Sequence, residues 1–182
     1  MADPSYVVDG ILEDGDAFVP IESTSLASVS GLQWDTGTGH KNWSQYEDLL
    51  VITSTKGSGL QITLDGLGGS SYFHYQYLFG SDTTAMASDA GSTYGRVYWA
   101  TSSYAAGGKV MLSGINSQSF TKCISQVADP RQASSAYAGW YATTFIYFWG
   151  IHRIDLDFDS GSGQSGSHAW LYGILPRMGL VS

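Results

Sequence analysis

The chain has 182 residues, enough for one domain that buries roughly 70 % of the surface its unfolded chain would expose. Eight Lys and Arg stand against 16 Asp and Glu, a net charge of −8, and only 13 % of residues are charged. That balance excludes nucleic acid as a partner, because phosphate binding needs clustered cations, and it disfavours anionic membrane surfaces.

The first 22 residues hold Asp3, Asp9, Glu13, Asp14, Asp16 and Glu22 and no base, interspersed with Tyr6, Val7, Val8, Ile11, Leu12, Phe18 and Val19. The segment is too apolar for a plain disordered tail. It reads as an arm, residues 1–22, that docks on a neighbour or on the domain's own edge strand; an ordinary first strand is the alternative. Met1-Ala2-Asp3-Pro4 shows neither a basic region nor an apolar core, so synthesis in a cytoplasm is expected, and any exit from it by another route, such as lysis. No apolar run approaches the ~18 residues of a membrane span, so no membrane insertion is expected.

The remainder, 23–182, reads as one β-sandwich domain. Twenty-three glycines and four prolines separate short runs rich in Val, Ile, Thr, Tyr, Phe and Trp, the pattern of many strands joined by turns. Trp43 to Val51 predicts one helical turn leading into a strand. Leu60, Ile62 and Leu64 alternate with polar residues as a half-buried strand, ended by Asp65-Gly66. Tyr72 to Phe79, Tyr94 to Thr101 and Lys109 to Ile115 predict further strands, the last two separated by a Gly107-Gly108 turn. Cys123 is the only cysteine, so no intrachain disulfide forms, and a buried inert thiol is expected. Ile154, Leu156 and Phe158 face a core. A glycine-serine turn at 160–167 then returns the chain as a strand, His168 to Leu175, paired in a hairpin. Gly173 lets a backbone or ring approach closely, and Pro176 ends the strand. The predicted fold is an all-β, antiparallel, jelly-roll-like β-sandwich with an N-terminal arm.

Catalytic constellations are poor. Asp35-Thr36-Gly37 and Asp159-Ser160-Gly161 have the form of aspartic-protease tripeptides, whose two carboxylates share a proton. A bilobal protease needs about twice this length, and the flanks carry Gln33 and Asp157 where apolar residues belong; two turns are the better reading. Asp155, Asp157 and Asp159 open like a calcium loop, but Ser160 and Gly166 stand at its glycine and bidentate-glutamate positions. An acidic stripe facing solvent or a subunit is expected there, with calcium the alternative. His40, His74, His152 and His168 have no metal-ligand spacing, no phosphate loop occurs, and Gly161 to Gly166 does not form a nucleophile elbow. No cofactor and no enzymatic activity are expected.

The aromatic content carries the functional expectation. Six Trp and 12 Tyr exceed what one domain buries, and exposed aromatic patches mark interfaces. Interface candidates are Tyr6, Val7, Ile11, Leu12 and Phe18 in the arm, Trp140, Tyr141, Tyr147 and Trp149 in the densest aromatic run, and Trp170 and Tyr172 near the C-terminus. Self-association is the first use expected of them. Sugar stacking, as in a carbohydrate-recognising tail fibre or receptor-binding adhesin that takes a host surface glycan, is the second.

The run Ile151-His152-Arg153-Ile154-Asp155-Leu156, the glycine-serine turn, and Gly166-Ser167-His168-Ala169-Trp170-Leu171-Tyr172-Gly173-Ile174-Leu175-Pro176 resemble a family of small virion structural proteins of marine and cyanobacterial tailed phages. The openings Asp9 to Ile21 and Trp43 to Leu49 are similar to the same family. The resemblance implies a β-sandwich, assembly as a homo-oligomer, often a trimer, and a place on the capsid or tail as a decoration, cement or spike protein. Its partners would be copies of itself and the major capsid protein or tail proteins. It implies no catalytic residues.

Overall fold

The structure is a computed structural model that describes residues 7–8, 11–12, 18–36, 43–66, 72–80, 83–92, 94–98, 102–116, 121–132, 135–145 and 150–175. Alternation of apolar and polar residues becomes strand throughout. The strands are β1 (Val7–Val8), β2 (Ile11–Leu12), β3 (Phe18–Ser25), β4 (Gly31–Asp35), β5 (Asp48–Gly57), β6 (Leu60–Leu64), β7 (Tyr72–Gly80) and β8 (Thr83–Ser92). They continue as β9 (Gly95–Tyr98), β10 (Ser102–Ser113), β11 (Thr121–Gln132), β12 (Ser135–Phe145), β13 (Arg153–Phe158) and β14 (His168–Ile174). A single 3-10 turn, Trp43–Gln45, leads into β5 as its sequence predicts.

Two sheets form the body. One has eight strands in the order β3-β14-β5-β10-β11-β12-β7-β8, and the other has four, β4-β13-β6-β9. Setting aside the hairpins β7-β8 and β11-β12 leaves two four-stranded sheets, β3-β14-β5-β10 and β4-β13-β6-β9. Their chain order alternates between sheets except at β6 to β9, which is the jelly-roll path. The expected fold class is therefore observed. The two hairpins are insertions, after β6 and after β10, that widen one sheet only.

The core fills the space between the sheets. Leu49, Val51, Val110 and Leu112 from the large sheet meet Leu60, Ile62, Ile154 and Leu156 from the small one, and all are fully buried. Each contributes about 1.5–3 kcal/mol of burial. β9 crosses the floor of the large sheet over β10, β11, β12 and β7. It comes close because Gly108 carries no side chain: a Cβ there would stand 3.1 Å from Val97 Cγ1 and 2.7 Å from Thr53 Oγ1. Gly107-Gly108 is thus no turn. Both residues lie inside the 12-residue β10 and pair with Ser54 and Thr53.

The C-terminal strands also differ from expectation. β13 belongs to the small sheet and β14 to the large one, so the 160–167 segment is a crossing between sheets and not a hairpin turn. It is fastened on both sides. Leu26 N–H donates to Ser167 O (2.8 Å), Ser28 N–H to Gly163 O (2.7 Å) and Gln164 N–H to Lys56 O (3.0 Å). Lys56 N–H donates to Ser167 Oγ at 2.9 Å. Gly161 and Gly166 take φ of 72° and 85°, which the crossing needs and which favour glycine.

At the N-terminal end, the boundary expected at residue 22 falls inside β3. Ile21 is buried and Val19 packs on the core, so this stretch is held as an edge strand on β14. Among the described residues, β1 and β2 pair with each other alone, Val7 with Leu12 and Val8 with Ile11.

Gly173 shows the close approach its sequence position predicts. The Tyr46 ring lies directly against its Cα, where a Cβ would overlap Cδ1, Cε1 and Cγ. Tyr46 is itself buried, and Glu47 N–H donates to Ile174 O at 2.8 Å. Gly173→Ala should therefore destabilise the domain by about 1–3 kcal/mol, the usual scale of overpacking. A lowered urea midpoint with unchanged slope is the expected result; an unchanged midpoint would mean that Tyr46 is free to leave.

Candidate functional site

The outward face of the eight-stranded sheet carries the chemistry that the core does not use. Strand parity sorts it: in β12, Gly139, Tyr141 and Thr143 are buried while Ala138, Trp140 and Ala142 are exposed. In β11, Cys123 and Ser125 point in, and Ile124, Gln126 and Ala128 point out. Register then places the outward residues in rows across the strands. One row is Tyr172, Leu50, Met111, Ile124 and Ala142. The next is Trp170, Ile52, Lys109, Gln126 and Trp140. A third is His168, Ser54, Gly107, Ala128 and Ala138.

The first row is apolar from end to end. Leu50 is only 5 % exposed although it lies outside the inter-sheet core cluster. Ile124 stands 50 % exposed, and Phe18, on the edge strand, 49 %. The second row is mixed, with Trp140 exposed at 55 % and a stacked His168–Trp170 pair (centroids 5.8 Å apart) at its other end. The third row has almost no side chains. Together the second and third rows line an open trough of about 510 Å³.

Of the residues expected at an interface, Trp140 and Phe18 are exposed, and Trp170 and Tyr172 are half-buried on this same face. Tyr141 is corrected: at 1 % exposure it belongs to the core, because alternation turns it inward next to the outward Trp140. Val7, Ile11 and Leu12 lie in the small hairpin, with their backbone pairing described. Tyr6, Tyr147 and Trp149 lie outside the described residues. Leu50, Ile52, Met111 and Ile124 are face residues that sequence reading missed. The available signal was the unbroken apolar run Leu49-Leu50-Val51-Ile52, which makes both faces of a strand apolar.

The acidic stripe is tied up by the protein's own cations. Asp155 is 6 % exposed and accepts from Arg153 Nε at 2.8 Å. Asp159 accepts from Arg96 Nη1 at 2.8 Å and from the Gln61 amide. Arg96 is buried; it also donates to Tyr94 Oη (2.6 Å) and stacks over that ring, 4.9 Å from its centroid. This fixes β9 to the start of the crossing. Asp157 and Asp159 are exposed, and Asp157 is set against Gly31, where a Cβ would meet its carboxylate. Among the described residues no cluster of three His, Cys, Asp or Glu is placed to hold a metal ion.

The two protease-like aspartates stand apart. Asp35 pairs with Arg153 at the start of β13, and Asp159 follows its end, so roughly 20 Å of strand separates them. They cannot share a proton. Asp35 accepts from Gln33 Nε2 at 2.9 Å instead. Among the described residues, no helix is long and apolar enough to cross a membrane.

No family model matches the chain, and no characterised protein matches it either.

Two groups give direct tests. Burial pushes the Cys123 thiol up to about 12, only partly offset by its contact with Ser125 Oγ. A thiol reagent at neutral pH should leave Cys123 unlabelled in the folded protein and label it in step with global unfolding in urea; rapid labelling of the native chain would contradict its burial. Desolvation, and then the neighbouring Asp155, raise the Asp157 carboxyl above its ordinary value, against the pull of Arg153. A carboxyl that holds its proton more tightly when folded stabilises the fold below its unfolded pKa. That contribution is lost as pH rises through the folded value. Asp157→Asn should therefore raise the urea midpoint at neutral pH, with the gain shrinking through the acidic range. A gain that persists at the same size in acid would assign the effect to something other than titration.

Proposed function

We propose that this chain is a non-enzymatic structural protein of a tailed-phage particle, a decoration, cement or spike protein of capsid or tail, that assembles with copies of itself as a trimer. The single observation that carries the reading is the outward apolar row Tyr172-Leu50-Met111-Ile124, with the exposed Phe18 in the adjacent row at the sheet edge, opposite Ile174. A continuous apolar band on a solvent face marks a contact surface, and the fully buried core of an interface is depleted in charge.

Three further features support it. Thirteen per cent charged residues give a surface that pays little desolvation penalty on association. The jelly roll is an architecture used in viral capsid domains, although the fold by itself does not dictate function. The motif at 151–176 includes β13, the fastened crossing and β14, so its later part, β14, lies in the sheet that presents the apolar row and supplies Tyr172 to it. The partners on this reading are a second and third copy, and a major capsid or tail protein.

Light scattering coupled to size exclusion tests it. The wild-type chain should run as a stable oligomer, and Ile124→Asp combined with Met111→Asp should convert it to a monomer that keeps its β-sheet circular dichroism and a cooperative melt. The same double variant should stop sedimenting with particles. A wild-type chain that is monomeric across the concentration range, or a double variant that assembles normally, overturns the proposal.

A further inference from the structure

The trough beside the apolar row has a different composition, and it asks for a different occupant. Its floor is Gly107, Ala128 and Ala138, directly opposite one another on β10, β11 and β12. A Cβ on Gly107 would meet nothing within 4 Å, so the floor is open to solvent. Its wall is Ile52, Lys109, Gln126 and Trp140, also directly opposite one another. The trough therefore runs across the strands. Its volume, about 510 Å³, lies in the range of small-molecule sites, roughly 300–1,000 Å³. The wall ends in an exposed indole, Trp140, at one side and in Ile52 at the other. Beyond Ile52 the row passes to Trp170, half-buried and stacked on His168 outside the trough.

We propose that this trough is a carbohydrate-binding site that takes a short pyranose oligosaccharide laid across β5, β10, β11 and β12. The proposal is independent of the assembly reading. At one end the Trp140 indole, 55 % exposed, offers a flat apolar surface for the axial C–H face of a sugar ring. Beside it, the Lys109 ammonium and the Gln126 amide supply donors and an acceptor for ring hydroxyls. The side-chain-free floor leaves the depth a ring needs.

Two other occupants fit less well. A peptide strand recognised through its backbone needs an open sheet edge, and the trough lies on a face whose ladder bonds are spent between β5, β10, β11 and β12. A protein interface core excludes ammonium groups, and Lys109 stands in the middle of the wall. The same argument separates this row from the apolar one beside it.

The test uses the full chain and a printed array of defined neutral and uronate-containing oligosaccharides, followed by calorimetry with the soluble form of the hit. Binding should quench tryptophan fluorescence. Trp140→Ala should weaken binding about tenfold or more, and Lys109→Met with Gln126→Leu should weaken it several-fold. Ala128→Leu fills the floor without touching the indole and should abolish binding. All of these positions face solvent, so the melting temperature should hold, and so should the oligomeric state. Absence of any sugar ligand overturns the proposal, as does a hit that survives both Trp140→Ala and Ala128→Leu. Loss of the oligomer in the trough variants also overturns it, because the trough would then be a protein contact. Loss of the oligomer in the Ile124→Asp, Met111→Asp variant with sugar binding retained supports both proposals separately.

Discussion

The two sheets share one apolar layer, but they are not the same width, and that inequality governs the molecule. Four strands of the large sheet, β3, β14, β5 and β10, are matched by the four of the small sheet. The other four have no second jelly-roll sheet over them, and among the described elements only β9 reaches across. The inward residues beneath it are correspondingly mixed: Cys123 and Tyr141 lie beside Thr121, Ser125 and Thr143. A core of this composition is thinner in transfer energy than one of Leu and Ile, since a hydroxyl needs a partner when it is buried. The fold therefore relies on close approach where it can get it. Gly108 under β9, and Gly173 under Tyr46, are places where the absence of a Cβ lets neighbouring parts approach closely.

The same inequality explains the polar ties at the end of the sandwich. β9 is only four residues long and has to hold a wide sheet. Arg96 fastens it to Asp159, and Tyr98 Oη accepts from Thr55 Oγ1 at 2.8 Å and donates to Ser58 O at 2.9 Å. A buried ion pair of this kind adds little net stability over an apolar replacement, but removing one partner alone is costly. Its effect is registry: it determines which residues of β9 lie over β10 and where the crossing begins. The crossing is then held by Ser58 Oγ on Ser160 O, by Lys56 on Ser167 and by the 26–28 segment. A glycine-rich stretch that would wander in isolation is fixed at nearly every turn.

Much of this was legible in the sequence, and the failures share one cause. Period-two alternation located β6, β13 and β14, and the missing side chain of Gly173 announced a close approach by a backbone or a ring, which the structure fills with Tyr46. Alternation is local, however. It cannot say which strand a neighbour pairs with, so the 160–167 glycines look alike whether they close a hairpin or carry the chain between sheets. Gly107-Gly108 looks like a turn for the same reason; Gly108 answers to β9, whose segment is close in sequence but arrives from the other sheet, and Gly107 opens on the outward face. Aromatic density at 139–149 marked a region and not a face, which is why Trp140 and its neighbour Tyr141 have opposite fates. The apolar row was hidden further, because its members come from β14, β5, β10 and β11 and meet only through register.

Register also brings two unlike surfaces side by side. Successive outward rows on a sheet lie two residues apart, about 7 Å. One row presents Tyr172, Leu50, Met111 and Ile124, which gain from being dry. The adjacent one presents Lys109 and Gln126 between two indoles, which gain from hydroxyl partners and lose from burial against carbon. A single flat partner cannot satisfy both, since covering the first closely would strip water from the second. The sheet resolves this by shape: Gly107, Ala128 and Ala138 sink the floor beyond the wall and leave it open, so a protein seated on the apolar row can stop at the lip of the trough. Substituting bulk for glycine or alanine in that floor would change the ligand surface while leaving the contact row as it is.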